Sequence, residues 1–173
     1  MRAETVVSLW RLFEDHGFEV CLDGGWAVDA LLGRQTRAHG DLDVALPAVH
    51  VPALRAALAE RGFAEIPKDD SWEHNFVLRD GDGNEIDVHS HVIDADGRSA
   101  GGVPYIREQL LGRGAVLGVE VRCITPEWLV RFHSGYELDC NDWHDVSLLC
   151  ERFGIPVPEE FRDFQASKGG GHP

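Results

Sequence analysis

The chain has 173 residues, 43% of them hydrophobic and 27% charged, which suits one folded domain with at most a small helical appendage and excludes a disordered protein. Its 16 Lys and Arg stand against 30 Asp and Glu, a formal net charge of -14 that repels nucleic-acid backbones and anionic lipids and would attract a cationic small molecule. With no apolar run near the ~20 residues of a membrane span and no basic-then-apolar leader at the start, a cytoplasmic protein is expected, with neither nucleic acid nor membrane as partner.

Residues 3–16 read as an amphipathic helix with Val6, Leu9, Trp10 and Phe13 on one stripe, ended by Gly17. Phe18 to Leu22 form a short strand that leads into a glycine turn at Gly24 and Gly25. A helix follows through Trp26, Ala27, Ala30 and Leu31 and stops at Gly33, with the Trp26 ring read as core packing. Glycines let the backbone approach a ligand closely, and the start of the helix aims its free N–H groups and positive dipole end at the same spot, which suits a phosphate. The loop 34–40 carries Arg34, Arg37 and His39; its guanidinium groups either fork onto triphosphate oxygens or are solvated loop charges. Asp41 and Asp43 then lie two apart on a strand, so both project from one face while Leu42, Val44 and Leu46 point into a core. Pro47 closes that strand, and a helix from about Val51 to Arg61 has Pro52 in its first turn and Gly62 at its end.

Two extended runs, Asn75 to Arg79 and Glu85 to Val92, are joined by Asp80-Gly-Asp-Gly-Asn84. The joint resembles the start of a calcium loop, but Glu85 stands where the sixth-position glycine is required and His91 where the twelfth-position glutamate belongs, so a hairpin turn is expected. In the second run, alternation places Asp87, His89 and His91 on one face and Ile86 and Val88 on the other. Asp87 is then a third carboxylate on a strand able to pair near the Asp41–Asp43 strand. A zinc site built on His89 and His91 lacks further ligands at a matching spacing. Residues 94–114 look glycine-rich and irregular, either a substrate-facing loop or a surface excursion, and Val116 to Ile124 read as one or two short strands. Thr125-Pro126-Glu127 starts a helix that runs to Ser134, and a second helix spans about Asp142 to Phe153 with Val146, Leu149 and Phe153 inward. Cys21, Cys123, Cys140 and Cys150 show no paired spacing and read as reduced thiols, three of them buried. The organisation expected is a catalytic core over 1–122, a helical segment over 123–166 packed on it, and a disordered tail over 167–173.

Three carboxylates converging on one place repel each other, and a divalent cation removes that cost. Mg²⁺ fits best, since it takes oxygen ligands and shares them with substrate phosphates. Asp41 and Asp43 are the expected ligands; Asp87 either completes the metal site or acts as base, with His89 as the rival base. No Walker-type phosphate loop occurs. A lone pair of aspartates on a strand would be weak evidence, but Gly-Gly, a short helix, Asp-x-Asp and a later strand carboxylate together point to a phosphoryl or nucleotidyl transfer site.

The run Asp23-Gly-Gly-Trp-Ala-Val-Asp-Ala-Leu-Leu-Gly-Arg-Gln-Thr-Arg-Ala-His-Gly-Asp-Leu-Asp43 resembles the signature of small antibiotic nucleotidyltransferases of the polymerase-beta superfamily, the nearest being the lincosamide nucleotidyltransferases. Glu85-Ile-Asp-Val-His89 is similar to their third-carboxylate strand, and segments at Cys123–Glu127, Phe132–Leu138 and Asp142–Val146 resemble their C-terminal helices. Most of the chain from residue 20 to 155 is covered. The resemblance implies an α+β core with a mixed sheet flanked by helices and a small helical C-terminal lobe. It also implies Mg²⁺, a nucleoside triphosphate (usually ATP), and transfer of the nucleoside monophosphate to a drug hydroxyl. It would place Asp41, Asp43 and Asp87 at the metals, Gly24, Gly25, Trp26 and Arg37 at the triphosphate, and His133, Tyr136 and Glu137 at the acceptor, although His133 could equally cap its own helix. A homodimer, as in similar enzymes, is the corresponding expectation for assembly.

Residues between Ile66 and Asn75, and the stretch 94–114, match that family poorly, and acceptor specificity would be written there. Aminoglycoside nucleotidyltransferases share the glycine and Asp-x-Asp motifs, and an acidic chain suits a polycationic acceptor. Adenylylation of a protein or another metabolite is a further transferase alternative; the enzymes that modify proteins typically lack a segment like 123–153. A degenerate nucleotide-binding module is disfavoured because all three carboxylates and both glycines are present.

Overall fold

In the computed structural model, which describes residues 1–169, the chain divides into two units, one over Met1–Thr125 and one beginning at Pro126. The first holds a mixed sheet, built among the described residues from eight strands in the order β3 (Ala64–Ile66), β4 (Asn75–Arg79), β5 (Glu85–Ile93), β2 (Asp41–Pro47), β1 (Cys21–Leu22), β8 (Val119–Cys123) and β7 (Gly112–Val116), with β6 (Ser99–Gly102) paired to β5. Its opening helix α1 (Ala3–Asp15) buries the predicted stripe of Val6, Leu9, Trp10 and Phe13, together with Val7 and Leu12, and is followed by the left-handed Gly17. Strand β1 is only Cys21–Leu22, shorter than expected, and hands directly to α2 (Gly24–Leu32). The glycine pair is therefore the first turn of a helix and not a separate loop.

Strand β2 (Asp41–Pro47) is antiparallel to β1 and parallel to β5 (Glu85–Ile93). A parallel pair needs a crossover connection. Here it consists of a 3-10 turn at Ala48–His50, α3 (Val51–Ala59), β3 (Ala64–Ile66) and β4 (Asn75–Arg79). β4 and β5 form the expected hairpin. Its turn is held by Asp80, whose carboxylate accepts from the Asp82 and Asn84 amides at 2.9 Å each and from Asn84 Nδ2 at 2.8 Å, so its oxygens serve the turn and not a calcium ion. Along β2 and β5 the residues Leu42, Val44, Leu46, Ile86 and Val88 are fully buried, as alternation predicts, each worth roughly 1.5–3 kcal/mol of transfer free energy.

The stretch 94–114 is more ordered than its composition suggests. β6 (Ser99–Gly102) pairs with the end of β5, a 3-10 helix covers Arg107–Leu111, and β7 (Gly112–Val116) turns back onto β8 (Val119–Cys123), which lies parallel to β1. Glycine-rich strands carry little side-chain pattern, which is why they read as loops.

In the second unit, α4 (Pro126–Phe132) and α5 (Cys140–Phe153) match the two expected helices, and α6 (Glu159–Gly169) follows. A capping box starts α5: Asp139 accepts from the Asn141 and Asp142 amides, and Asp142 returns the bond to the Asp139 amide at 2.8 Å. Val146 and Leu149 are buried, but Phe153, expected inward, is 36% exposed at the helix end beside Gly154. Residues 167–169, placed in the disordered tail from sequence, continue α6; the rest of that tail, 170–173, lies outside the described residues. Cys21, Cys123 and Cys150 are buried free thiols and Cys140 is exposed. Among the described residues no helix is long and apolar enough to cross a membrane.

Candidate active site

Parallel pairing sets the register of the acidic face. Asp41 stands opposite Glu85, Asp43 opposite Asp87, and Ala45 opposite His89. Register partners project to the same side of a sheet, so the two-residue period of each strand becomes one ledge of four carboxylates and a histidine. Asp43, Asp87 and His89 each offer a ligand atom within 4.8 Å of the others. Asp41 lies one pleat further out, at the exposed start of β2. Glu85 is spoken for: Arg79 Nε donates to it at 2.9 Å and Lys68 Nζ at 3.1 Å, and these cations, Arg79 foremost, hold its carboxyl below the usual range.

Helix α2 begins against this ledge. Asp23 caps it, accepting from the Gly24 amide at 2.8 Å, while its own amide donates to the Asp43 carbonyl at 2.9 Å. Gly24 has a φ of 55°, and a Cβ there would collide with the Asp43 carboxylate; a Cβ on Gly25 would collide with Arg37 and His39. The glycines thus make room for the protein's own charged side chains at the helix start. Arg37 lies over Gly25 as expected, its Nη1 donating to the Ala38 carbonyl at 3.2 Å. The Trp26 ring is core, as its helical stripe predicts, and not at the triphosphate where the resemblance would place it: its side chain is 1% exposed and stacks at a tilt on His39, with ring centroids 4.6 Å apart. The indole is core, and only its backbone could serve a ligand.

The loop 34–40 is pinned by a residue that sequence reasoning passed over. Asp29, 2% exposed, accepts from Thr36 through its amide at 2.9 Å and its hydroxyl at 2.7 Å, and lies 2.5 Å from His39 Nε2. Its signal was a carboxylate on an otherwise apolar helix, which has to find partners when buried.

On the ledge itself charge is less well satisfied. Desolvation pushes the Asp43 carboxyl up to about 7, with Asp41, Asp23 and Asp87 adding repulsion and His89 opposing it. The residue is half-buried and not sealed, so water screens part of this repulsion. Asp87 Oδ1 is closed off from solvent without a hydrogen-bond partner; His89 Nε2 lies 3.4 Å from it, outside good hydrogen-bond distance. Burial pulls His89 down, but the adjoining Asp87 carboxylate, then Asp43 and Asp23, outweigh it and hold the imidazole above its ordinary value. The other ring nitrogen, Nδ1, is 3.3 Å from the hydroxyl of Tyr105, a second missed residue, which donates to Asp23 Oδ2 at 2.5 Å. His91 is buried behind them, and desolvation lowers it to about 4, so it is a neutral core residue. An orphaned carboxylate oxygen, a neighbouring carboxyl that cannot comfortably ionise, and an oxygen-rich donor set fit a hard divalent cation.

In the second unit, His133 is 8% exposed, with Nδ1 2.8 Å from the Leu129 carbonyl of its own helix and Nε2 3.8 Å from the buried Asp145. Burial lowers its pKa, but the Asp145 carboxylate and the Leu129 carbonyl raise it further, leaving it above the ordinary value. Tyr136 is half exposed and donates to Asp142 at 2.7 Å, and Glu137 is exposed. Of the three expected acceptor residues, His133 therefore closes its own helix end, while Tyr136 and Glu137 present surface.

A mixed sheet that sets paired strand carboxylates beside a glycine-started helix defines an enzyme of the nucleotidyltransferase class. Residues 5–149 match the aminoglycoside-2''-adenylyltransferase family, and the chain belongs to that family. A lincosamide resistance protein of Staphylococcus haemolyticus is 29% identical over 145 residues, 80% of this chain and 88% of that one. A 2''-aminoglycoside nucleotidyltransferase of Escherichia coli is 24% identical over 156 residues, 86% of each chain. Among solved structures, the lincomycin-bound lincosamide antibiotic adenylyltransferase LnuA superposes with a TM-score of 0.75 at 25% identity, covering 90% of this chain and 99% of that one. ANT(2'')-Ia in complex with adenylyl-2''-tobramycin shares the fold with a TM-score of 0.73 at 19% identity, covering 95% of each chain.

Proposed function

We propose that this protein transfers the nucleoside monophosphate of ATP to a hydroxyl of a lincosamide antibiotic in an Mg²⁺-dependent reaction. The observation that carries the reading is the Asp43–Asp87 register pair with its orphaned Asp87 oxygen. Asp41, Asp43 and Asp87 would hold the metal, which supplies charge neutralisation at the phosphates and at the pyrophosphate leaving group. Arg37 and the backbone N–H groups opening α2 bind and orient the triphosphate. A carboxylate oxygen sealed from solvent suits a ligand better than a proton shuttle, so Asp87 is assigned to the metal and His89 to the proton of the attacking hydroxyl. Tyr136 and Glu137, exposed in the second unit, are the residues offered to the acceptor, with His133 supporting the helix end from which they continue.

The lincosamide assignment follows the relative at 29% identity and the superposition on LnuA. An aminoglycoside is the second reading, supported by the family match and by a net charge of -14 that suits a polycation. Mass spectrometry of lincomycin, clindamycin, kanamycin, gentamicin and streptomycin, each incubated with the protein, ATP and Mg²⁺, tests both. An AMP adduct on the lincosamides alone is expected. An adduct on an aminoglycoside alone replaces the acceptor and keeps the chemistry, and no adduct on any of the five overturns the antibiotic reading.

A further inference from the structure

Tyr105 lies in the stretch that looked irregular in sequence, yet it is 4% exposed and touches the two ends of the site at once. Its place is set by β6 folding back on β5: the Val103 amide donates to the Ser90 carbonyl at 2.9 Å, and the Tyr105 amide closes a tight turn onto the Val103 carbonyl at 2.7 Å. The phenol packs edge-on against His91, with ring centroids 5.7 Å apart. Its hydroxyl then reaches Asp23 Oδ2 at 2.5 Å and His89 Nδ1 at 3.3 Å. Asp23 Oδ1 is in turn fixed by the Gly24 amide.

A phenol has one proton to give. The shorter bond, to a carboxylate that is itself capping a helix, takes it, and burial together with the Asp23 charge keeps the phenol protonated. Toward His89 the same oxygen has only lone pairs to offer, so Nδ1 meets it favourably only when Nδ1 carries a hydrogen. On the opposite edge of the ring, Asp87 Oδ1 at 3.4 Å favours a hydrogen on Nε2. These demands compete in the neutral ring. The Tyr105 side is committed to Asp23 by a short hydrogen bond, whereas Asp87 Oδ1 has no hydrogen-bond partner and its carboxylate is one the ledge offers to a cation. A cation held by Asp87 would weaken that carboxylate's pull on Nε2 and leave the Tyr105 side to decide.

We propose that Tyr105 is a positioning residue that fixes His89 as the Nδ1–H tautomer and leaves the Nε2 lone pair facing the Asp43–Asp87 ledge. Asp23, Tyr105 and His89 thus form one chain from the nucleotide-facing helix start to the proton-accepting nitrogen. The inference rests on the proposed transfer chemistry only in giving Nε2 a proton to receive; the tautomer itself can be read without any acceptor.

The test is a long-range ¹⁵N–¹H correlation spectrum of the full chain at alkaline pH with saturating Mg²⁺, in which the His89 pattern is the one lost in His89→Ala. The expected pattern is protonation on Nδ1 in the native protein and a mixture or reversal in Tyr105→Phe. Protonation on Nε2 in the native protein, or a pattern unchanged by Tyr105→Phe, overturns the proposal, and the native spectrum decides even if the variant folds poorly. In turnover, Tyr105→Phe lowers kcat about tenfold and leaves the nucleotide dissociation constant within about twofold, and it adds nothing in a His89→Ala background. An equal loss in both backgrounds shows that Tyr105 does not act through His89 and also overturns it. Absence of transfer by the native enzyme would count against the proposed function alone.

Discussion

The first unit contains two aspartate–histidine pairs whose surroundings differ at every oxygen. In the Asp29–His39 pair the partners are 2.5 Å apart and almost fully buried, and the second carboxylate oxygen takes both Thr36 donors. In the Asp87–His89 pair the separation is 3.4 Å, both side chains are partly open to solvent, and one carboxylate oxygen has no hydrogen-bond partner. A satisfied buried pair holds a loop in place and has nothing left to give. An unsatisfied one beside two more carboxylates has capacity for a ligand, at a standing cost to the fold. The residue types are the same; the count of satisfied lone pairs separates anchor from site.

The largest effect that would sharpen this contrast is expected at the ledge. Asp43→Asn, which removes the carboxylate paired in register with Asp87, should lower transfer on the order of a thousandfold, several kcal/mol of transition-state stabilisation, without loss of thermal stability. Turnover near the native rate would remove Asp43 from the metal site. At the anchor the expectation reverses: Asp29→Ala strands His39 and two Thr36 donors and should cost roughly 3 kcal/mol in urea unfolding, while kcat below the unfolding transition falls less than about tenfold. If that variant keeps its stability, the contrast between the pairs is broken. His89→Ala comes next, with kcat expected to fall about a hundredfold and the nucleotide dissociation constant to hold; equal losses in both would make His89 a binding residue.

The smallest effect is a pH dependence. The folded Asp43 carboxyl titrates at about 7 against an ordinary 3.8, so between those values the folded chain holds a proton that the unfolded chain releases. Its contribution to stability is therefore present at low pH and is lost as pH rises toward and through 7. In metal-free protein, Asp43→Asn should remove that part of the slope and raise Tm by a few degrees at pH 8, and saturating Mg²⁺ should shrink the difference. A parent and variant whose Tm values run parallel from pH 4 to pH 8 would show that Asp43 is not strained by its neighbours.

How far the sequence revealed this site depends on which interactions are local. The faces of β2 and β5 were legible because alternation is a property of each strand alone, and so Asp41, Asp43, Asp87 and His89 could be named together. Their resemblance to a known signature added Gly24, Gly25 and Arg37 as candidates for the triphosphate. That the strands are parallel neighbours with Asp43 opposite Asp87 is a long-range pairing that no local period encodes. Tyr105 was invisible for a related reason: glycine-rich β6 has almost no side-chain pattern, so nothing pointed to a strand that would carry the phenol inward. At Trp26 the two signals diverged, since its place within the motif suggested a ligand contact while its helical stripe correctly suggested core. β3, exposed at the sheet edge over Ala64–Ile66, lacked a buried face to betray it.

The crossover between β2 and β5 has a consequence for how the molecule is made. Asp43 and Asp87 meet through a strand pairing whose partners are separated in the chain by α3, β3 and β4, so the acidic ledge depends on non-local contacts of the kind that make folding slow. Like charges are pressed together in that same pairing step. A folding chain that captures its cation as the strands dock would relieve the repulsion when it arises, and refolding from urea should then run faster when Mg²⁺ is present in the buffer than when it is added after the chain has collapsed.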